Sequence, residues 1–308
     1  MASDNPVEVL RLMSEGTSQI VGKVSRSVVT VNSGSGRGSG TVWDSSGLIV
    51  TCNHVVGSST KIRVGQPGTG QVEAKLVGQD PYSDVAVLRV EGASLQPIEA
   101  GESENLSVGQ LVLAIASPYN RRASATMGIV TSLRVPMRGM QGMSMDNVIF
   151  TDAKLNPGYS GGPLVDASGR MIGLNSAYME SRGIAIPVDV VKGIVEKLTR
   201  QGTIRRAHLG LVTNNLELPS EIAGRPDVSQ DSAVMVYSVE SGSPAKQAGV
   251  LLGDVVLSFD GKPVRNTYDL PRLLTDEVIG KSVILKILRS EQICEIAIVP
   301  VVHESDDS

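Results

Sequence analysis

From Ser27 to Pro187 the chain alternates short apolar runs with Gly, Ser, Asn or Pro: SVVTV, GTVW, LIVT, KIRV, EAKLV, VAVLRV, QLVLAIA, TMGIVTSL, NVIFT, MIGLNS and GIAIP. Runs of this length between turn formers read as strands, and eleven of them with no helix between imply antiparallel barrels or sandwiches. At Val188 the period changes. Val188, Val191, Ile194, Val195 and Leu198 recur at helical spacing up to Gly202, which predicts one amphipathic helix closing the β-rich unit. A short helix is expected at the start, with Asn5 as N-cap, Pro6 in its first position, apolar Val7, Leu10 and Leu12, and Gly16 as its stop.

Beyond the polar connector Gln-Gly-Thr-Ile-Arg-Arg the signals mix. Strands AVMVYSV, DVVLSF, SVILKIL and CEIAIV alternate with a short helix opened by Ser243 and Pro244 and closed by Gly249, a turn at Asp260-Gly261, and a helical stretch from Asn266 to Thr275. The predicted organisation is an N-terminal helical arm over 1–26, a β-rich domain over 27–200, a linker over 201–206, a small α+β domain over 207–302 and a disordered acidic tail over 303–308.

Composition narrows the function. Net charge is −4 over 308 residues, which provides no basic footprint for nucleic acid or anionic membranes. With 2 Phe, 6 Tyr and 1 Trp the core must be built from Val, Ile, Leu and Ala, and base-stacking platforms are excluded. The longest apolar run, Leu111 to Ala116, is far short of the ~20 residues a membrane span needs. Asp4 and Glu8 sit where a secretory signal would be basic, so the location reads as cytoplasmic, or the chain as a processed extracytoplasmic form. Cys52 and Cys294 fall outside any CxxC spacing, so the expectation is two buried free thiols and no metal. Gly280-Lys281-Ser282 ends like a phosphate loop, but Thr275 stands where that pattern opens with glycine. No cofactor is expected.

The strongest chemical signal is Gly158-Tyr159-Ser160-Gly161-Gly162-Pro163-Leu164. Glycines around a serine let the backbone turn tightly and aim amide N–H groups at one point, as an oxyanion hole requires. A serine hydroxyl needs a base, and of the three histidines only His54 lies in the β-rich domain, at the end of LIVT. Asp84 precedes the strand VAVLRV, so the chain order is His54, Asp84, Ser160. The nucleophile elbow of an α/β-hydrolase is excluded, because no histidine follows the serine within this domain and no strand–turn–helix surrounds it.

At these residues, and over nearly the whole chain, the sequence resembles the HtrA serine proteases. The resemblance rests on Gly38-Ser39-Gly40-Thr41-Val42, Leu48 to Val55, Ser83 to Leu88, Thr151-Asp152-Ala153, Asn156 to Leu164 and, downstream, Ser243-Pro244-Ala245, Gly249-Val250 and Gly253 to Val256. It implies a chymotrypsin-like double β-barrel followed by one PDZ domain. His54 would be the general base, Asp84 its orienting carboxylate and Ser160 the nucleophile, with an oxyanion hole from Gly158, Tyr159 and Ser160. Ile184, Ala185 and Ile186 would wall the specificity pocket, and Leu209, Gly210 and Leu211 would receive a peptide C-terminus.

The implied activity is ATP-independent cleavage of unfolded proteins in quality control and stress response, by a homotrimer regulated through its PDZ domain. The rival is a holding chaperone or PDZ adaptor with a latent protease domain.

Four departures from the family carry expectations of their own. Tyr159 replaces the usual Asn and would set a bulky ring beside the scissile bond. Ile184 replaces the usual Phe, which implies a small apolar pocket and cleavage after Val, Ala or Leu. Pro271 would kink or delay the second PDZ helix. Met137, Met140, Met143 and Met145, with Gly139 and Gly142, suggest a flexible apolar loop, regulatory or a disordered insertion.

Overall fold

The computed structural model describes residues 6–34, 36–66, 70–92, 95–118, 123–138, 144–179, 181–225, 227–228, 230–267 and 269–302. Asn5, Gly139, Met140, Gly142, Met143 and the tail 303–308 lie outside the described residues. The chain divides into two compact units, Met1–Ile204 and Arg205–Ser308.

The first unit opens with helix α1 (Pro6–Val24), which runs through Gly16 instead of stopping there. One exposed interior glycine costs only about 1 kcal/mol against alanine, and Ile20, Val21 and Val24 anchor the far end in the core. Two closed six-stranded barrels follow. Barrel 1 consists of β1 (Val28–Ser33), β2 (Arg37–Val42), β3 (Leu48–Cys52), β4 (Ile62–Gly65), β5 (Gln71–Asp80) and β6 (Val85–Arg89), with the one-turn helix α2 (Asn53–Val56) after β3. Barrel 2 consists of β7 (Leu111–Ala116), β8 (Ser124–Arg138), β9 (Ser144–Thr151), β10 (Pro163–Asp166), β11 (Met171–Met179) and β12 (Arg182–Pro187).

The strand missing from the sequence reading is β10. Its four residues leave the glycine-rich loop at Pro163, a first-strand position where the missing N–H is tolerated. The methionine-rich stretch was expected as a loop. Residues 134–138 and 144–147 instead extend β8 and β9 as an antiparallel pair, Met137 opposite Met145.

Helix α3 (Val188–Gln201) buries Val188, Val191, Ile194, Val195 and Leu198, and Gly202 ends it in a left-handed turn whose N–H donates to the Leu198 carbonyl. Its C-terminus packs directly on barrel 1 at Gly78.

The second unit pairs β13 (Ala207–His208) with β20 (Val301–Val302) beside a larger sheet. That sheet has the order β14 (Leu211–Glu217), β15 (Ser232–Val239), β16 (Val255–Phe259), β18 (Val283–Arg289), β19 (Gln292–Ile298), with β17 (Lys262–Pro263) on β16. Three short helices join them: α4 (Ser220–Ala223), α5 (Pro244–Gln247) and α6 (Asp269–Leu273). Helix α6 is shorter than the expected Asn266–Thr275, because Pro271 falls in its first turn, where no intrahelical N–H is needed. Asp269 secures that start by accepting the N–H groups of Arg265 and Asn266. Cys52 is a buried free thiol as read, whereas Cys294 is only half-buried.

A β-carbon at Gly78 would lie 2.2 Å from the Gly202 carbonyl oxygen and 2.9 Å from Leu198. Gly78→Ala should therefore cost roughly 1–3 kcal/mol through overpacking and lower Tm by about 2–10 °C. Thermal denaturation checks this, and an unchanged Tm would refute the close seating of α3 on β5.

Candidate active site

Strand β3 ends in Cys52, and α2 then presents His54 while Val55 and Val56 are buried as anchors. Asp84 sits between β5 and β6, fully buried, at φ +57. Aspartate tolerates this left-handed conformation better than most residues, and here it turns the carboxylate onto α2. Asp84 Oδ1 accepts the His54 backbone N–H at 3.0 Å, and the two carboxylate oxygens lie 2.9 and 2.8 Å from His54 Nδ1. The ionised carboxylate accepts, so Nδ1–H donates and Nε2 is left as the basic nitrogen. Ser176 on β11 donates its hydroxyl to Asp84 Oδ2 at 2.6 Å.

Burial of the imidazole works to lower its pKa, but the hydrogen bond and charge of Asp84 outweigh it and leave His54 above its ordinary 6.5. Cys52, just before it, has its thiol pushed well up by burial and then by the Asp84 charge, and it donates to the Asn175 carbonyl at 3.2 Å. The ligand atoms of Cys52, His54 and Asp84 lie within 4.8 Å of one another. Metal binding needs the thiolate, however, and this environment favours the thiol.

Ser160 lies in the loop between β9 and β10. Its hydroxyl donates to the Ser176 carbonyl at 2.7 Å, and among the described residues no hydrogen bond joins it to His54. The structure thus brings together His54 and Asp84 as a bonded pair, with Ser160 turned to a carbonyl on β11. Glycine is required around it. A β-carbon on Gly158 (φ +92) would strike Pro118 at 2.5 Å, and one on Gly161 (φ +86) the Ser39 carbonyl at 2.1 Å. Of the three amides expected in the oxyanion hole, that of Tyr159 is already committed, donating to the Asn156 carbonyl at 3.0 Å. The N–H groups of Gly158 and Ser160 have no partner among the described residues.

Two further expectations are corrected. The Tyr159 ring does not stand beside the reacting groups. It is buried in barrel 2 and shares a hydrogen bond with the Ser124 hydroxyl at 2.8 Å. Ile184, Ala185 and Ile186 do not form one wall, because successive strand residues face opposite ways. Ile184 and Ile186 join one core cluster and Ala185 joins the other, with Ala153, Leu155 and Tyr159. Sequence reasoning missed Ser176, although the polar pair Asn175-Ser176 closing the apolar run MIGL was a visible signal.

In the second unit Leu209 is buried, Gly210 has φ +75 and Leu211 begins β14, an edge strand. The Leu209 carbonyl accepts from Ala245 and the Gly210 carbonyl from Glu240, while the N–H groups of Leu209 and Gly210 are unpartnered among the described residues. Two free amides beside an open sheet edge suit a carboxylate and an extended chain.

Paired six-stranded barrels carrying histidine, aspartate and serine define a trypsin-like peptidase. The family described as a trypsin-like peptidase domain matches residues 38–174, and the PDZ domain family matches residues 209–299.

The "Probable periplasmic serine endoprotease DegP-like" of Pseudomonas putida (strain GB-1) is 36% identical over 264 residues, covering 82% of this chain and 53% of that protein. "Protease Do-like 1, chloroplastic" of Arabidopsis thaliana is 38% identical over 280 residues, covering 83% and 61%. The chain thus spans little more than half the length of these relatives. Among solved structures, "HtrA-type protease AlgW with tripeptide" is 26% identical with a TM-score of 0.80, covering 94% of this chain and 98% of that one. The serine endoprotease from Yersinia pestis is 28% identical with a TM-score of 0.74, covering 93% and 98%. The chain is a trypsin-like peptidase domain followed by a PDZ domain, homologous to the DegP/HtrA serine endoproteases.

The His54 ring should titrate above pH 6.5, staying protonated further into the neutral range than a free imidazole. Asp84→Asn should bring the midpoint down, since it removes the charge that stabilises the imidazolium. Ring-proton NMR over a pH series reads both, and identical midpoints in parent and variant would contradict the pairing.

Proposed function

We propose that the chain is a serine endopeptidase that hydrolyses unfolded polypeptides without ATP. The observation that carries this is the buried Asp84 carboxylate bonded to His54 Nδ1, which leaves Nε2 as the base for a serine held in a glycine loop with free amides. In the reaction Ser160 leaves the Ser176 carbonyl, gives its proton to His54 Nε2 and attacks the scissile carbonyl. Asp84 stabilises the imidazolium, the amides of Gly158 and Ser160 bind the oxyanion, and His54 returns the proton to the leaving amine; water, giving its proton to His54, then attacks the acyl-enzyme, and release of the acid restores the Ser160 hydroxyl. Because His54 must be neutral to act, its raised pKa places the acid limb of the rate profile above pH 6.5. The specificity expected from Ile184, cleavage after Val, Ala or Leu, is part of this proposal.

The proposal extends to the second domain. Leu209, Gly210 and Leu211 would take a peptide C-terminus, the peptide adding to the β14 edge, and occupancy would raise a low basal rate. A homotrimer acting in protein quality control, in an extracytoplasmic compartment as the Pseudomonas relative's name states for it, completes this reading.

One observation favours the rival reading of a holding chaperone or PDZ adaptor with a latent protease domain. The Ser160 hydroxyl rests on Ser176 and not on His54.

Degradation of casein with and without ATP decides between them. Parent protein should degrade casein equally in both and label with a fluorophosphonate, and Ser160→Ala should lose labelling and up to ~10⁶ in rate. No turnover and no labelling in the parent would favour the holding role. In the same assay a peptide with a free C-terminal carboxylate should raise the rate severalfold, and its C-terminal amide should not. Equal responses to the two peptides would remove the carboxylate from the regulatory scheme.

A further inference from the structure

The motif Gly38-Ser39-Gly40 has no part in the mechanism above, yet the hydrogen bonds of Ser39 converge on the nucleophile loop. Ser39 is fully buried in β2 of barrel 1. Its hydroxyl donates to the Gly158 carbonyl at 2.7 Å and accepts the Ser117 N–H of barrel 2 at 2.9 Å. Its own N–H donates to the Ser160 carbonyl at 2.8 Å, and its carbonyl is held by the Thr51 hydroxyl at 2.7 Å. One residue of barrel 1 thus grips the carbonyls on both sides of Tyr159.

From this geometry we infer that Ser39 is a positioning residue for the oxyanion loop, an inference that rests on the endopeptidase reading. The peptide plane between Gly158 and Tyr159 is pinned at both ends. Its carbonyl is held by Ser39 Oγ and its N–H by the Asn156 carbonyl. A plane so held cannot turn, which fixes the exit direction of the chain from Gly158 at φ +92. The grip on the Ser160 carbonyl fixes the far side of the same loop. The N–H groups of Gly158 and Ser160, in the peptide planes on either side of this one, are left free to donate. Without the hydroxyl, the Gly158 carbonyl loses its donor and the plane its anchor, so the amides spend less time aligned. An alignment loss weakens transition-state binding and leaves ground-state binding almost untouched.

The test compares Ser39→Ala with Thr30→Val. Thr30 makes a buried hydrogen bond of the same kind between the barrels, its hydroxyl donating to the Ser117 carbonyl at 2.6 Å and lying 3.1 Å from the Ser117 hydroxyl. With active sites titrated by a fluorophosphonate, Ser39→Ala should lower kcat per titrated site about 10- to 100-fold, part of the ~10²–10³ an oxyanion donor supplies. KM should stay within about threefold and the acid limb of the pH profile should not move, because His54 and Asp84 are untouched. Thr30→Val should lower Tm and keep kcat. Should Ser39→Ala not fold, Ser39→Cys keeps the volume with a weak donor, and its kcat should fall in the same direction.

Unchanged kcat per site in the serine variant, or an equal loss in Thr30→Val, would overturn the positioning role. A parent protein that neither labels nor cleaves would instead overturn the endopeptidase reading itself.

Discussion

A carboxylate with no solvent exposure is stable as an anion only if donors replace the water it has lost, and the site is organised around that demand at Asp84. Its donors come from two places. The backbone and ring N–H of His54 approach from α2 beside barrel 1, and the Ser176 hydroxyl approaches from β11 of barrel 2. Satisfying one buried charge therefore fixes the seam between the barrels, the tautomer of the histidine and the strand whose carbonyl accepts the Ser160 hydroxyl. The left-handed backbone at Asp84 is part of the same arrangement. It is held by four donors, the Asn53 N–H on its carbonyl and the His54 N–H, His54 Nδ1–H and Ser176 hydroxyl on its carboxylate.

The barrel architecture was legible because its strands are short, rich in Val and Ile, and punctuated by Gly and Pro, signals that act locally. Where local and tertiary forces compete, the reading slipped. Gly16 looked like a stop, yet α1 continues because its last turns bury Ile20, Val21 and Val24. The strand β10 is too short to announce itself and directly follows the most conspicuous turn in the chain. Its partners, β7 and β11, supply the ladder that makes it a strand. The opposite case is Pro271, whose effect on α6 follows from the missing N–H alone and was legible in advance.

At the site, residue chemistry was legible and residue direction was not. With three histidines, only His54 of them in the β-rich domain, and the serine of GYSGG, the candidate groups could be picked out from the chain. Which way a side chain points depends on strand parity and on what fills the space behind it. Tyr159 turns inward, joining the apolar cluster of barrel 2 with its hydroxyl paired to Ser124. Ala185 parts company with Ile184 and Ile186 because a strand alternates. Serines such as Ser39 and Ser176 carry no reactivity of their own that would single them out, and their importance lies in which carbonyls and carboxylates they reach.

Those two serines frame the functional state. Ser176 offers the nucleophile a carbonyl to rest on, while Ser39 holds the loop from the other side. The resting hydrogen bond from Ser160 to Ser176 is one neutral contact, and such a bond is worth only about 0.5–1.5 kcal/mol net. A bond of that size holds the hydroxyl only weakly. The oxyanion loop is held by several such bonds at once, so it stays in place while the serine rotates. The geometry therefore separates a loop held by several hydrogen bonds from a single side chain, that of Ser160, held by one.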